Sequence, residues 1–139
     1  MSLKTIEGRA ALLQSIAHNS LWEMVEKTKH DVYARLALVP KTLEARGLDA
    51  SPPVKNKLVS VGDKKAGEIL DCIFKDEISH VLAGNHWYRW LCRQRGLNPI
   101  SAYADLTETY EAPKLRPPFN LEAWRLAGFD EAELLGLGI

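Results

Sequence analysis

Residues 64–95 read KKAGEILDCIFKDEISHVLAGNHWYRWLCRQR, and their periodicity decides the fold class. Asp63 stands before the run as a helix N-cap, and Gly96 follows it as a C-terminal stop. Between them a seam runs through Ala66, Leu70, Ile73, Glu77, His80, Gly84, Trp87 and Leu91. Its steps alternate between four and three residues, the spacing of one packed helical face. The stretch therefore predicts one long helix. At mid-seam a carboxylate and an imidazole replace two core side chains. Burying both without partners is expensive, and a metal ion is one partner that compensates both at once. Glu-x-x-His also places two ligands on one helical face in carboxylate-bridged di-metal bundles.

Helix signals continue on either side. Upstream, Ser20 and Glu23 have the spacing of a capping box. The helix they open is expected to run to about Arg46, with a core stripe of Trp22, Val25, Val32, Leu36, Val39 and Leu43. Pro40 should kink it near Leu36, and Gly47 should end it. Before this lies a shorter helix, about Thr5 to Ala17, with Ile6, Ala10, Leu13 and Ile16 on one face. Residues 49–53 read as a loop and 54–61 as a short helix broken by Gly62. After the long helix, Asn98-Pro99 opens another to about Glu111. The segment Ala112 to Asn120 holds three prolines and should be extended. Asn120 and Asp130 can each cap a short final helix. Strand signals are absent. The expectation is one all-α domain over residues 1–139: an N-terminal helix (1–18), two long core helices (20–47 and 63–96), and a C-terminal helix with a wrapped tail (99–139). Two long helices and a partial third do not close a four-helix bundle well.

Composition narrows the class. The 139 residues are 46% hydrophobic and 26% charged, in keeping with one soluble domain. Eighteen basic residues balance eighteen acidic ones, which argues against a dominant nucleic-acid footprint. No apolar run approaches the ~20 residues that span a bilayer. The N-terminus lacks the pattern of a secretory signal. Cys72 and Cys92 fall 20 residues apart on the predicted long helix, about 30 Å at ~1.5 Å per residue. That excludes a disulfide between them. They read as buried structural thiols in a reducing cytoplasm.

Glu44 lies 33 residues before Glu77, a separation that two antiparallel helices can close. A dinuclear carboxylate site uses one Glu from one helix and Glu-x-x-His from its neighbour, each given twice. Carboxylates with one imidazole per metal suit iron or manganese. The plainer alternative makes Glu77 and His80 an i, i+3 pair on a partly wet face, with Glu44 a solvated charge beside Arg46.

Other residues support weaker readings. Glu26 and His30 read as a surface pair, about 20 Å of helix away from Glu44. His86 reads as a polar residue turned away from His80, and Asp76 as a candidate acceptor for the second N–H of His80. Tyr33 reads as a core tyrosine. Trp87, Tyr88 and Trp90, interleaved with Arg89, Arg93 and Arg95, read as a core flank with snorkelling arginines. The segment LRPPFNLE, Leu115 to Glu122, reads as a strap over the bundle. No phosphate-binding glycine loop, nucleophile elbow or zinc-type cysteine pattern occurs.

Three long phrases carry a family resemblance: LWEMVEKTKHDVYARLALVPKTLEARGLD from Leu21, ILDCIFKDEISHVLAGNHWYRWLCRQRGL from Ile69, and APKLRPPFNLEAWRLAGFDEAEL from Ala112. They resemble the C-terminal half of the DUF455 family, uncharacterised ferritin-like proteins. The resemblance implies a ferritin-like four-helix bundle with a di-iron or related di-metal centre. It places Glu44 as the single-Glu ligand, with Glu77 and His80 as the Glu-x-x-His ligands. KTIEGRAALLQSIAH, from Lys4, is similar to the family's opening helix, yet it runs almost directly into NSLWEM. The stretch that would carry the first Glu and first Glu-x-x-His is missing, so the chain offers three ligands where the pattern has six. A homodimer would restore six and rebuild the bundle. The implied chemistry is oxygen- or peroxide-linked redox chemistry at iron or manganese, on a small-molecule substrate the resemblance does not name. Two alternatives are a metal-free structural or interaction protein that keeps an incomplete site, and an RNA-modifying di-iron hydroxylase, by fold analogy alone.

Overall fold

The structure, a computed structural model, describes residues 19–138. The chain is all-α, and no strand occurs among the described residues. Helix α1 spans Asn19–Lys27 and α2 spans Val32–Leu38. A π-helical segment follows at Val39–Glu44. Then come α3 (Gly47–Ser60), α4 (Lys64–Arg95), α5 (Pro99–Thr109), α6 (Leu121–Leu126) and α7 (Glu131–Gly136). The expected helix over residues 5–17 lies outside the described residues.

Helix α4 is the spine, and it runs as its sequence predicts. The Asp63 carboxylate accepts from the Ala66 N–H, and Gly96 closes the helix at φ 66°. That left-handed conformation is the one glycine adopts without strain. Three core clusters line α4. Near its start, Leu58 packs on Ala66 and Leu70. At its middle, Val81 meets Ala45, Leu48, Trp124, Phe129 and Leu134. Toward its end, Tyr88 and Cys92 meet Met24, Ala34, Ala37, Leu38 and Leu106. Burying each large apolar side chain in these clusters contributes about 1.5–3 kcal/mol.

The seam on α4 departs from expectation beyond its first turns. Ala66, Leu70 and Gly84 are buried, but Ile73, His80 and Trp87 are exposed. The buried face runs instead through Val81, Gly84, Asn85, Tyr88 and Cys92. A straight helix repeats every 3.6 residues, so a strict seven-residue pattern drifts off the packed face. Cys72, expected to be buried, is exposed, while Cys92 is buried; both thiols are free.

The long helix expected over residues 20–47 is instead three pieces. Chain polarity breaks it first. Thr28 Oγ1 donates to the Met24 carbonyl at 2.7 Å, and Asp31 caps α2 by accepting from the Tyr33 N–H. Pro40 then changes the winding rather than simply kinking the helix. Proline offers no N–H and crowds the carbonyl four residues back. The backbone widens into a π turn, and Thr42 Oγ1 reaches five residues back to the Ala37 carbonyl at 2.8 Å. Trp22 and Val32, expected in the core, are 66% and 60% exposed, because the break at residues 28–31 rotates each piece separately. Leu43 keeps its expected place.

Gly47 begins α3 instead of ending a helix, and residues 49–53 are helical rather than a loop. Pro52 cannot donate to the Leu48 carbonyl, and Asn120 Nδ2 reaches that carbonyl at 3.3 Å instead. Asp49 Oδ1 accepts from the Asn120 N–H at 2.6 Å and from Trp124 Nε1 at 2.9 Å. The wrapped tail thus supports a helix that its local sequence disfavours. Residues 112–120 form no helix, and Asn120 and Asp130 cap α6 and α7 as the sequence predicts. No helix among the described residues is long and apolar enough to cross a membrane.

Candidate metal centre

Close approach of backbones places the site. Pro40 lies against Gly84 so tightly that a Cβ on Gly84 would fall 2.5 Å from the proline ring. Any side chain at residue 84 would push the π segment off α4. With glycine there, the segment lies along α4 and delivers Glu44 from its last position toward Glu77. Gly47 leaves room beside the Glu77 stem, which would lie 3.8 Å from a Cβ at that position. π turns are rare and recur at functional sites, because they re-aim side chains that a regular helix would place elsewhere.

Glu44, Glu77 and His80 form one group, each offering a ligand atom within 4.8 Å of the others. Glu44 and Glu77 are half-buried. His80 Nδ1 lies 4.0 Å from Glu77 Oε2, with 62% of its side chain exposed. Glu77 Oε1 is buried and has no hydrogen-bond partner among the described residues. Burial, and then the nearby Glu44 carboxylate, push Glu77 up to about 7. Burial also raises Glu44, with His80 opposing the shift. Two half-buried carboxylates that disfavour each other's charge, one with an orphaned oxygen, form a donor set whose charge a cation would balance. A divalent cation would take that oxygen and neutralise the pair. Oxygen donors with one imidazole suit iron or manganese, so the residues present fit the expected metals.

Other expected pairings resolve differently. Glu26 pairs with Lys29 at 2.5 Å, and Asp76 is exposed. The His86 ring packs edge-on to Trp87 at 5.0 Å. Tyr33 stacks on Tyr88 with centroids 5.8 Å apart, and the Arg95 guanidinium lies 4.9 Å from its ring centre. Of the aromatic run, Tyr88 is core, while Trp87 and Trp90 are exposed and meet edge-to-face at 6.0 Å.

Sequence reasoning missed a second polar cluster carried by the same π segment. The Lys41 side chain is 3% exposed, and its ammonium donates to Asn85 Oδ1 at 2.8 Å and pairs with Glu133. Glu133 also pairs with Arg89, which donates to the Gly128 carbonyl. Asn85 Nδ2 donates to the Ala127 carbonyl at 2.8 Å. The one local signal is Lys41 itself, a charge directly after Pro40 and before the buried Thr42 and Leu43. A lysine there reads as solvated until the tail is known to cover it.

Comparison with known proteins places these observations. A sequence profile for the family described as "Protein of unknown function (DUF455)" matches residues 9–135. A protein of Haemophilus influenzae described as "Uncharacterized protein" is 45% identical over 118 residues, which cover 85% of this chain and 41% of that protein. The chain therefore spans less than half the length of the curated relative it matches. No solved structure matches it significantly.

Proposed function

The chain belongs to the DUF455 family, and from that premise we propose that it is a ferritin-like metalloprotein whose centre is held by Glu44, Glu77 and His80. The observation that carries this reading is the buried, unpartnered Oε1 of Glu77, within ligand distance of a second carboxylate and an imidazole. A buried acceptor left without a donor costs about 1–3 kcal/mol. Folds retain such costs where a ligand or a catalytic task uses them.

Each residue has a distinct task. Glu77 offers two oxygens, Oε1 buried and Oε2 4.0 Å from His80 Nδ1. Glu44 adds the second negative charge from the π segment, so the pair balances a divalent ion. His80 approaches from the exposed side with a nitrogen donor and is the ligand most open to exchange. Bound iron or manganese would supply oxygen- or peroxide-linked redox chemistry. The burial of Glu77 Oε1 keeps water from competing at that oxygen.

Three ligands are half of a dinuclear set, and a second copy of this chain is the proposed source of the rest. Ile73, His80 and Trp87 recur every seven residues on one exposed face of α4, with Ile73 38% and Trp87 51% exposed. A ligand flanked by uncovered apolar residues is what a two-fold interface through the site would need. The test is native mass spectrometry after anaerobic Fe(II) loading, repeated with Mn(II). A dimer with two metals, lost in E77A/H80A, is expected. A wild-type protein that stays metal-free would make the three residues an inherited polar cluster and favour the structural or interaction role.

A further inference from the structure

A cavity of about 800 Å³ lies between α5, the non-helical segment after it and α7. Lys41 and Glu133 lie at its buried wall. Ile100, Ala104 and Leu137 line its apolar part. None of Glu44, Glu77 and His80 borders it, so nothing here depends on the metal reading. Its volume falls in the range of pockets that hold small organic ligands.

Charge counting gives the chemistry of the occupant. Lys41 and Arg89 both pair with one carboxylate, that of Glu133. The cluster, with Lys41 and Glu133 buried and Arg89 27% exposed, therefore carries one surplus positive charge. Asp130 is the next carboxylate near Lys41, but it is exposed and caps α7 through the Glu133 N–H. Glu108 and Lys114, on the exposed rim, carry opposite charges. The Lys41 ammonium has three N–H groups and two acceptors among the described residues, Asn85 Oδ1 and Glu133 Oε2. Its remaining surroundings are ring faces: Phe129 at 4.5 Å, Tyr103 at 5.3 Å and Tyr88 at 5.5 Å from their centres. Burial lowers the Lys41 pKa while Glu133 opposes the shift, as expected of a cation short of counter-charge. A buried cation without full compensation is costly, and an anion beside it offsets that cost. The rest of the wall favours an apolar body.

We propose that this cavity binds a small amphiphilic organic carboxylate, its carboxylate accepting from Lys41 and its apolar body lying against Ile100, Ala104 and Leu137. Charge-assisted hydrogen bonds of this kind are the stronger class, so the anionic head should dominate affinity.

Isothermal titration of the whole chain with octanoate, and with octan-1-ol as its neutral counterpart, tests this. Wild type should bind octanoate at least tenfold more tightly than octanol. K41M keeps side-chain length and leaves Glu133 paired with Arg89. It should lose that preference while still binding octanol. A104W, at an exposed wall position, should fill the cavity and abolish binding of both with an unchanged circular dichroism spectrum. A wild type that binds neither compound, or both equally, overturns the proposal. So does octanoate binding that survives K41M. If K41M fails to fold, A104W decides: octanoate binding equal to wild type overturns the proposal, and its loss supports it.

Discussion

One short π segment, Val39–Glu44, serves two polar clusters that are built in opposite ways. Around Lys41, Glu133 and Asn85 each meet a protein partner, and the cluster joins the π segment to α4 and α7. Around Glu44, the acceptors outnumber the donors, and Glu77 Oε1 is left alone. The paired cluster contributes to holding the fold together. The unpaired one costs stability in the metal-free protein and would recover it on binding a cation. Removing a charge should therefore destabilise one cluster and stabilise the other.

The largest effect is expected from E133A. It leaves Lys41 and Arg89 facing each other without a counter-charge, and removing one partner of a buried pair costs about 3–5 kcal/mol. Urea unfolding should show this loss; a change within error would mean that the cluster contributes nothing to the fold. Next is G84A, whose new methyl would meet Pro40. Overpacking of this kind costs about 1–3 kcal/mol. Because it displaces the π segment, G84A should also weaken Mn(II) binding, read by calorimetry; a stable variant with intact binding would separate the glycine contact from the site.

E77Q should move stability the other way. Glu77 titrates near 7 when folded, above its ordinary 4.5, so the folded state holds its proton more tightly than the unfolded state. Metal-free wild type should lose stability as pH rises from about 4.5 to about 7, and no more above that. E77Q lacks this penalty. Its melting temperature should match wild type at pH 4.5 and exceed it by a few degrees at pH 8, while Mn(II) should stabilise wild type alone. Equal melting temperatures at both pH values would mean that Glu77 carries no buried charge. The smallest effect belongs to the exposed Glu26–Lys29 pair. K29A should leave stability unchanged within error, which calibrates the buried clusters against a solvated pair in the same urea series.

Local chemistry was legible in the sequence where it acts locally. Asp63, Asn98, Asn120 and Asp130 all cap the helices they were expected to cap, because a cap needs only a side-chain oxygen two or three residues from a free N–H. Glu77 and His80 stood out because they interrupt an apolar pattern. Glu44 could be paired with them from spacing, but the seating of its π segment against α4 could not, since that depends on Pro40 meeting Gly84 across the chain. The burial of Lys41 was not legible. Its partners Asn85 and Glu133 lie 44 and 92 residues away.

The sequence by itself determined that the chain is all-α, where its longest helix begins and ends, and which three side chains are candidates for a metal. Those follow from interactions within a few residues, which periodicity and capping report directly. Tertiary structure alone decided that the helix through Pro52 survives, that the π segment lies against α4, and that a lysine is buried in an aromatic setting. Each of these outcomes depends on a distant group: Asn120 taking the carbonyl freed by Pro52, Gly84 admitting Pro40, Glu133 meeting Lys41. A sequence pattern records which side chains prefer burial. It does not record which backbone group another part of the chain will satisfy, and here that second question set the geometry of both clusters.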